Sequence, residues 1–294
     1  MQPFVESNDV LDDPSALRKR LRKYGYLFVR DLLPRDEVLE VRRQILEICR
    51  NEGWMLEGAD LMDGLTDHEP IQEGADAWKP MYQRLQSLEN FHKLKLHKNV
   101  RGVMENLFEE PVVPLPMTIS RVAFPRDNEN GTQPHQDWVY VRGSMAILSC
   151  WGALGDVPID VGGLKLLAES HKAGLLTPIP APGPGGNIVE VDPDLEWHQS
   201  DFRAGDLLIF TPLTVHAAAE NQTPDRLRIS IDFRYAGESH TISQTWMQPH
   251  YHWLENHKFS WDALDKEWRD SPTARYWERL PNVKVRPPQK MPGW

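Results

Sequence analysis

The stretch His135-Gln136-Asp137 offers an imidazole and a carboxylate two positions apart. In a strand, residues two apart point to the same side, so both side chains can grip one ion. A third ligand must then come from a distant strand. His216 is the candidate. It closes the segment AGDLLIFTPLTVH, in which Gly205-Asp206 reads as a turn and Leu207–Phe210 as an apolar strand. Two imidazoles and one carboxylate on one face of an octahedral ion leave three positions open, the arrangement of non-haem Fe(II) oxygenases. A bidentate 2-oxo acid takes two of them and dioxygen (O2) the third. Oxidative decarboxylation of that acid to succinate and CO2 then leaves an oxidant able to attack a C–H bond. HxD alone occurs often by chance, and a lone His is more often structural than a ligand. The weight lies in the order of the parts: HxD, then a distant His after an apolar strand, then Arg-x-Ser on the next one.

A co-substrate such as 2-oxoglutarate needs a cation for its distal carboxylate. Arg228, Ser230 and Asp232 alternate with Leu227, Ile229, Ile231 and Phe233, so the polar set shares one face of a strand. An Arg fork holds a carboxylate through two hydrogen bonds, and the Ser230 hydroxyl adds a third. Arg226, one step earlier on the same face, is the rival to Arg228. Thr118 and Arg121, ahead of the HxD segment, are weaker candidates for the same pocket. His250-Tyr251-His252, with His257 nearby, also has a metal-binding spacing. No strand or carboxylate accompanies it, so it reads as a surface or lid segment.

The elements that must position these residues follow from patterning. Residues 1–110 are helix-rich. ALRKRLRKYG reads as an amphipathic helix closed by Gly25, and Tyr26–Val29 as a short strand. A second helix follows Pro34, with Val38, Val41, Ile45 and Ile48 at core spacing. Residues 54–80 read as a long loop, and Tyr82 to Phe108 as a third helical stretch whose His92 and His97 are surface or packing residues. From Val112 the texture changes to short β-rich runs broken by turn residues: 117–124, 138–141, 145–154, 163–167, 206–210 and 226–235. PIPAPGPGGN reads as an irregular loop. Residues 237–294 form an extension with a helical piece near 261–279. Helices first and strands second predict helices packed outside a β sandwich or barrel.

The composition excludes several classes. Formal net charge is −10 over 294 residues, which argues against a general nucleic-acid binder. No apolar run approaches the roughly 20 residues of a membrane span, and the first residues lack the pattern of a signal peptide. The two cysteines, Cys49 and Cys150, read as buried free thiols of a cytoplasmic protein. Whether the chain is a monomer or a homodimer is not encoded in any pattern.

On these motifs the chain resembles the phytanoyl-CoA dioxygenase family of Fe(II)/2-oxoglutarate oxygenases. GYLFVRDLLPRDEVLEVRRQI is similar to the family's N-terminal strand and helix, and PHQDWVY to its metal-binding segment. AGDLLIFTPLTVHAAAENQTPDRLRISIDFRY resembles its closing motif. The resemblance implies a single domain over 1–294, mainly β with flanking helices. Its double-stranded β-helix (jelly-roll) core would span about 111–236. It implies His135, Asp137 and His216 as iron ligands and Arg228, with Ser230, as the 2-oxoglutarate site. Halogenating relatives replace the carboxylate with a small residue; Asp137 is retained here, which points to hydroxylation. The implied substrate is a small molecule or natural product. The competing expectations are an acyl-CoA hydroxylase and a non-catalytic jelly-roll protein that binds a ligand or metal.

Overall fold

The computed structural model describes residues 1–127, 131–183, 185–254 and 258–287. Its strands are β1 (Tyr26–Val29), β2 (Val112–Ala123), β3 (Leu148–Ala153), β4 (Leu164–Leu167), β5 (Ile179–Pro180) and β6 (Asn187–Ile188). They continue with β7 (Trp197–His198), β8 (Leu207–Phe210), β9 (His216–Ala218), β10 (Arg228–Gly237), β11 (Thr241–Ser243) and β12 (Lys284–Arg286). The helices are α1 (Pro14–Tyr24), α2 (Arg35–Asn51), α3 (Lys79–Gln86), α4 (Glu89–Lys93), α5 (Lys98–Phe108), α6 (Trp138–Val141) and α7 (Trp261–Leu264).

A five-stranded antiparallel sheet runs in the order β1-β8-β3-β10-β2, and a three-stranded sheet in the order β7-β4-β9. Alternation along the large sheet assigns each face. Leu27, Val29, Leu207, Ile209, Cys150, Ile229, Ile231 and Phe233 point outward into a core shared with α2, α3 and α5. Tyr26, Phe28, Trp151, Leu208 and Phe210 point inward and pack with Leu164 and Leu166 of the small sheet. This is the sandwich of a jelly roll with helices covering one outer face, as the strand-after-helix order predicts.

Local signals explain the helix ends. Asp13 caps α1 by accepting from the Ala16 N–H, and Gly25 ends it at φ 82°. A side chain at Gly25 would also collide with His171 and Thr214. Val38, Val41, Ile45 and Ile48 of α2 are buried, as their spacing predicts. Both cysteines are buried and free.

Three expectations on secondary structure outside the site are corrected. The stretch 82–108 is broken into α3, α4 and α5, because His97 turns extended and caps α5 by accepting from the Asn99 N–H. His92 is buried and donates from Nε2 to the Gln86 carbonyl, which makes it a packing residue. The piece at 261–279 holds only the short α7 and a turn at Tyr276–Arg279. Pro272 cannot continue a helix, and buried Asp265 gathers Arg269 and Arg275 into turns instead. PIPAPGPGGN carries a minimal hairpin, with Ile179 opposite Ile188 and Pro180 opposite Asn187. Among the described residues, no helix is long and apolar enough to cross a membrane.

Candidate active site

His135 and His216 face each other across two antiparallel segments and exchange both backbone hydrogen bonds, at 3.0 and 3.1 Å. A pair of this kind sends both side chains to one face, and the imidazole centroids lie 4.1 Å apart. Each Nδ1 sits beside a backbone carbonyl, Gln133 at 2.7 Å and Thr214 at 3.0 Å. A carbonyl only accepts, so Nδ1 carries the proton in both rings and both Nε2 atoms present lone pairs.

Asp137 arrives by a different route from the one its spacing predicts. The chain does not continue as a strand: Asp137 adopts helical angles and starts α6, so Trp138–Val141 is one helical turn. The Asp137 carbonyl accepts from the Tyr140 and Val141 N–H groups, and Trp138 donates to the Pro212 carbonyl. The β-branched and aromatic residues of 138–141 suit a strand, but these local bonds override that preference. The carboxylate therefore enters from the start of a helical turn. Its Oδ1 lies 3.8 Å from His135 Nε2 and 3.6 Å from His216 Nε2. One donor atom from each of the three residues falls within 4.8 Å of the others, and all three residues are buried.

The electrostatics suit a cation. Burial pushes the pKa of His135 down to about 3, with nearby His216 adding to the effect. Burial likewise lowers that of His216, against the pull of Asp137. Burial alone would raise the carboxyl of Asp137, but the Arg234 guanidinium, helped by the Ser149 hydroxyl, overcomes it and holds the group well below its usual range. Two neutral imidazole nitrogens and one ionised oxygen thus converge without protons between them. That donor set fits Fe(II), and His135, Asp137 and His216 would hold it.

The three groups open into a cavity of about 700 Å³. Arg228 lines it, with Ser230 beside it: Nη1 donates to Ser230 Oγ at 3.1 Å. Burial, then the charge of Arg121, lower the Arg228 pKa to about 10, so it remains charged near neutrality. Its Nε has no partner, and no carboxylate pairs with it among the described residues. Arg226 lies elsewhere. It precedes the start of β10, its backbone pairs with Leu65, and it does not line the cavity. Arg121 lines the wall and pairs with Glu73, whereas Thr118 points away and accepts from buried Lys95.

The walls come from the segments with least motif content. Gln72 and Glu73 enter from the 54–80 loop, Gly183 and Gly185 from the proline-rich hairpin, and Trp246, His250, Tyr251 and Trp253 from the C-terminal extension. His250 is buried in that wall beside the Tyr82 hydroxyl, at 2.6 Å, which corrects its reading as a surface residue. His257 lies outside the described residues. Motif reasoning also missed Arg234, which donates to Asp137 Oδ2 at 2.9 Å. The alternation Arg228, Ser230, Asp232 continues to Arg234 and carries the signal.

A jelly roll holding two buried imidazoles and a carboxylate on the wall of an arginine-lined cavity defines a non-haem iron oxygenase. The profile of the phytanoyl-CoA dioxygenase (PhyH) family matches residues 21–230, and the chain belongs to that family of iron- and 2-oxoglutarate-dependent enzymes. It is 25% identical over 248 residues to a 1-deoxypentalenic acid 11-beta-hydroxylase of Streptomyces arenae, covering 79% of this chain and 84% of that one. It is 24% identical over 237 residues to the peroxisomal phytanoyl-CoA dioxygenase of Homo sapiens, covering 74% and 68%. Among solved structures, the fold matches the epimerase SnoN in complex with Fe3+, alpha ketoglutarate and nogalamycin RO. That match has a TM-score of 0.54 and 24% identity, over 78% of this chain and 87% of that one. It also matches the carbocyclase SnoK from nogalamycin biosynthesis, with a TM-score of 0.53 and 19% identity, over 99% and 98%.

Proposed function

We propose that this enzyme hydroxylates a small-molecule natural product, with Fe(II) on His135, Asp137 and His216 and 2-oxoglutarate anchored by Arg228 and Ser230. The observation that carries this reading is Arg228: a buried guanidinium with no carboxylate partner among the described residues, on the wall of the cavity that holds the metal ligands. Leaving such a charge unpaired costs several kcal/mol, so a carboxylate ligand is its natural complement. Bound iron with 2-oxoglutarate and O2 supplies an oxidant for a substrate C–H bond, with succinate and CO2 as by-products.

The chain's own residues orient these reactants. The Gln133 and Thr214 carbonyls fix both imidazoles, and Ser149 with Arg234 fixes Asp137. Trp151 lies under Arg228, with the guanidinium carbon 6.0 Å from the ring centroid, and limits where a co-substrate can sit. Met117, Ile119, Val139 and Trp246 give the reacting region an apolar lining that excludes water from the substrate. Similarity to the 1-deoxypentalenic acid 11-beta-hydroxylase of Streptomyces arenae supports a small-molecule substrate. The two buried free thiols support a cytoplasmic enzyme, and the net charge of −10 supports a monomer or homodimer that partners its small-molecule substrate rather than nucleic acid.

The test is an anaerobic titration of metal-free protein with Fe(II) and then 2-oxoglutarate, following the visible charge-transfer band of the chelate. The band appears in the wild type and is lost in His216→Ala. A wild type that binds neither reactant returns the non-catalytic reading.

A further inference from the structure

The charges on the cavity wall do not balance. Among the described residues, four arginines, Arg121, Arg142, Arg228 and Arg234, face three carboxylates, Glu73, Asp137 and Asp232. The wall therefore has a positive excess in a chain whose net charge is −10. A divalent metal and the 2-oxoglutarate dianion cancel each other, so the excess survives loading.

Pairing locates the excess. Arg121 bonds Glu73. Arg234 bonds both Asp137 and Asp232. Arg228 is assigned to 2-oxoglutarate above. Arg142 remains: its Nε donates to the Val139 carbonyl at 2.5 Å, and no carboxylate pairs with it among the described residues. Its backbone stands at φ 44°, in the left-handed region, where it ends α6 directly after the metal-binding segment. Glycine would satisfy that turn without strain, so the arginine stands there at a conformational cost. Around it the wall is apolar and aromatic, with Val139, Tyr140 and Trp246.

We propose that Arg142 binds a carboxylate on the substrate, whose remaining body is apolar and carries rings that pack on the aromatic wall. This inference rests on the co-substrate reading of Arg228. The guanidinium fork would fix one end of the substrate and so choose which carbon meets the metal.

Binding of 2-naphthoate and of its methyl ester, measured by anaerobic calorimetry on protein loaded with Fe(II) and 2-oxoglutarate, tests it. The two probes share the ring body and differ in the charge. We expect the acid to bind wild type about 10-fold tighter than the ester, the scale of one charge-assisted contact. R142Q removes that preference, and R142K retains part of it, because the ammonium keeps the charge and loses the fork. A preference that persists in R142Q, or a wild type that binds the acid no better than the ester, overturns the proposal. So does a preference lost in R228Q but kept in R142Q, which would put the acid in the co-substrate position. A separate titration with 2-oxoglutarate reports on the co-substrate reading by itself. If the wild type fails there, the acid–ester comparison on Fe(II)-loaded protein still decides the role of Arg142.

Discussion

Arg234 and Ser149 are register partners across β10 and β3, and both donate to the same oxygen, Oδ2 of Asp137. The carboxylate is thereby divided. One oxygen is committed to the large sheet, and Oδ1 alone faces the two imidazoles. A carboxylate that offers one oxygen would leave more of a bound metal's coordination sphere for a co-substrate. The sheet register, set by packing far from the site, thus decides which oxygen of Asp137 would be offered to a metal.

Removing one of these bonds loosens the ligand. We expect Arg234→Gln to weaken Fe(II) binding by about 10- to 100-fold, the usual effect of losing a partner behind a metal ligand. Anaerobic equilibrium dialysis gives the affinity directly. Unchanged affinity would show that Asp137 needs no support from β10.

Loss of the ligand itself is more severe. In Asp137→Ala, metal-dependent succinate release should vanish. Arg234 also loses one of its two carboxylates, and breaking a buried pair costs about 3–5 kcal/mol. A lowered urea midpoint of the metal-free protein, alongside the lost turnover, is the expected pair of results. Full turnover in this variant would remove Asp137 from the ligand set.

Arg226 and Arg228 are separated by experiment as they are by position. Arg228→Gln should raise the Kd for 2-oxoglutarate by roughly 10- to 100-fold, from a charged hydrogen bond of about 1.5–3 kcal/mol. Arg226→Gln should leave it within about 2-fold, on the ordinary scale of a surface substitution. Equal effects from the two substitutions would contradict the assignment.

Acid weakens the fold through its buried histidines. Burial, assisted by Lys95, holds the His92 pKa at about 3, against 6.5 for the unfolded chain. A depressed histidine pKa means that the unfolded state takes up the proton first as pH falls. Stability from His92 is therefore complete above 6.5 and declines toward about 3, by ~1.4 kcal/mol per pH unit. Urea midpoints at pH 7.5 and 5.5 should fall more steeply for wild type than for His92→Gln. Identical slopes would mean that His92 charges freely in the native state.

Much of this was legible in the sequence, for a physical reason. Residues that share a strand face obey a period of two, so Arg228, Ser230 and Asp232 separated cleanly from Leu227, Ile229 and Ile231. Asp137 escaped the same rule because a strand and a single helical turn can bring residues i and i+2 to one ion, and only the bonds at Pro212 and Tyr140 decide between them. Arg226 stands as a rival to Arg228 in the sequence because alternation extends one step beyond the start of β10. His250 and Glu73 carry no local signal. Their place in the wall depends on how irregular segments dock, which is set by packing between residues distant in sequence.

That division of origin has an evolutionary consequence. The metal ligands and Arg228 are held within the sandwich or at its edge, whereas Glu73, Gly185, Trp246 and Trp253 reach the cavity from segments outside it. Substitutions in those outer segments can alter what fits the cavity while leaving the sheet register, and with it the reactive centre, undisturbed. A lineage built this way can diversify its chemistry of recognition by small steps, each of which preserves a working oxidant.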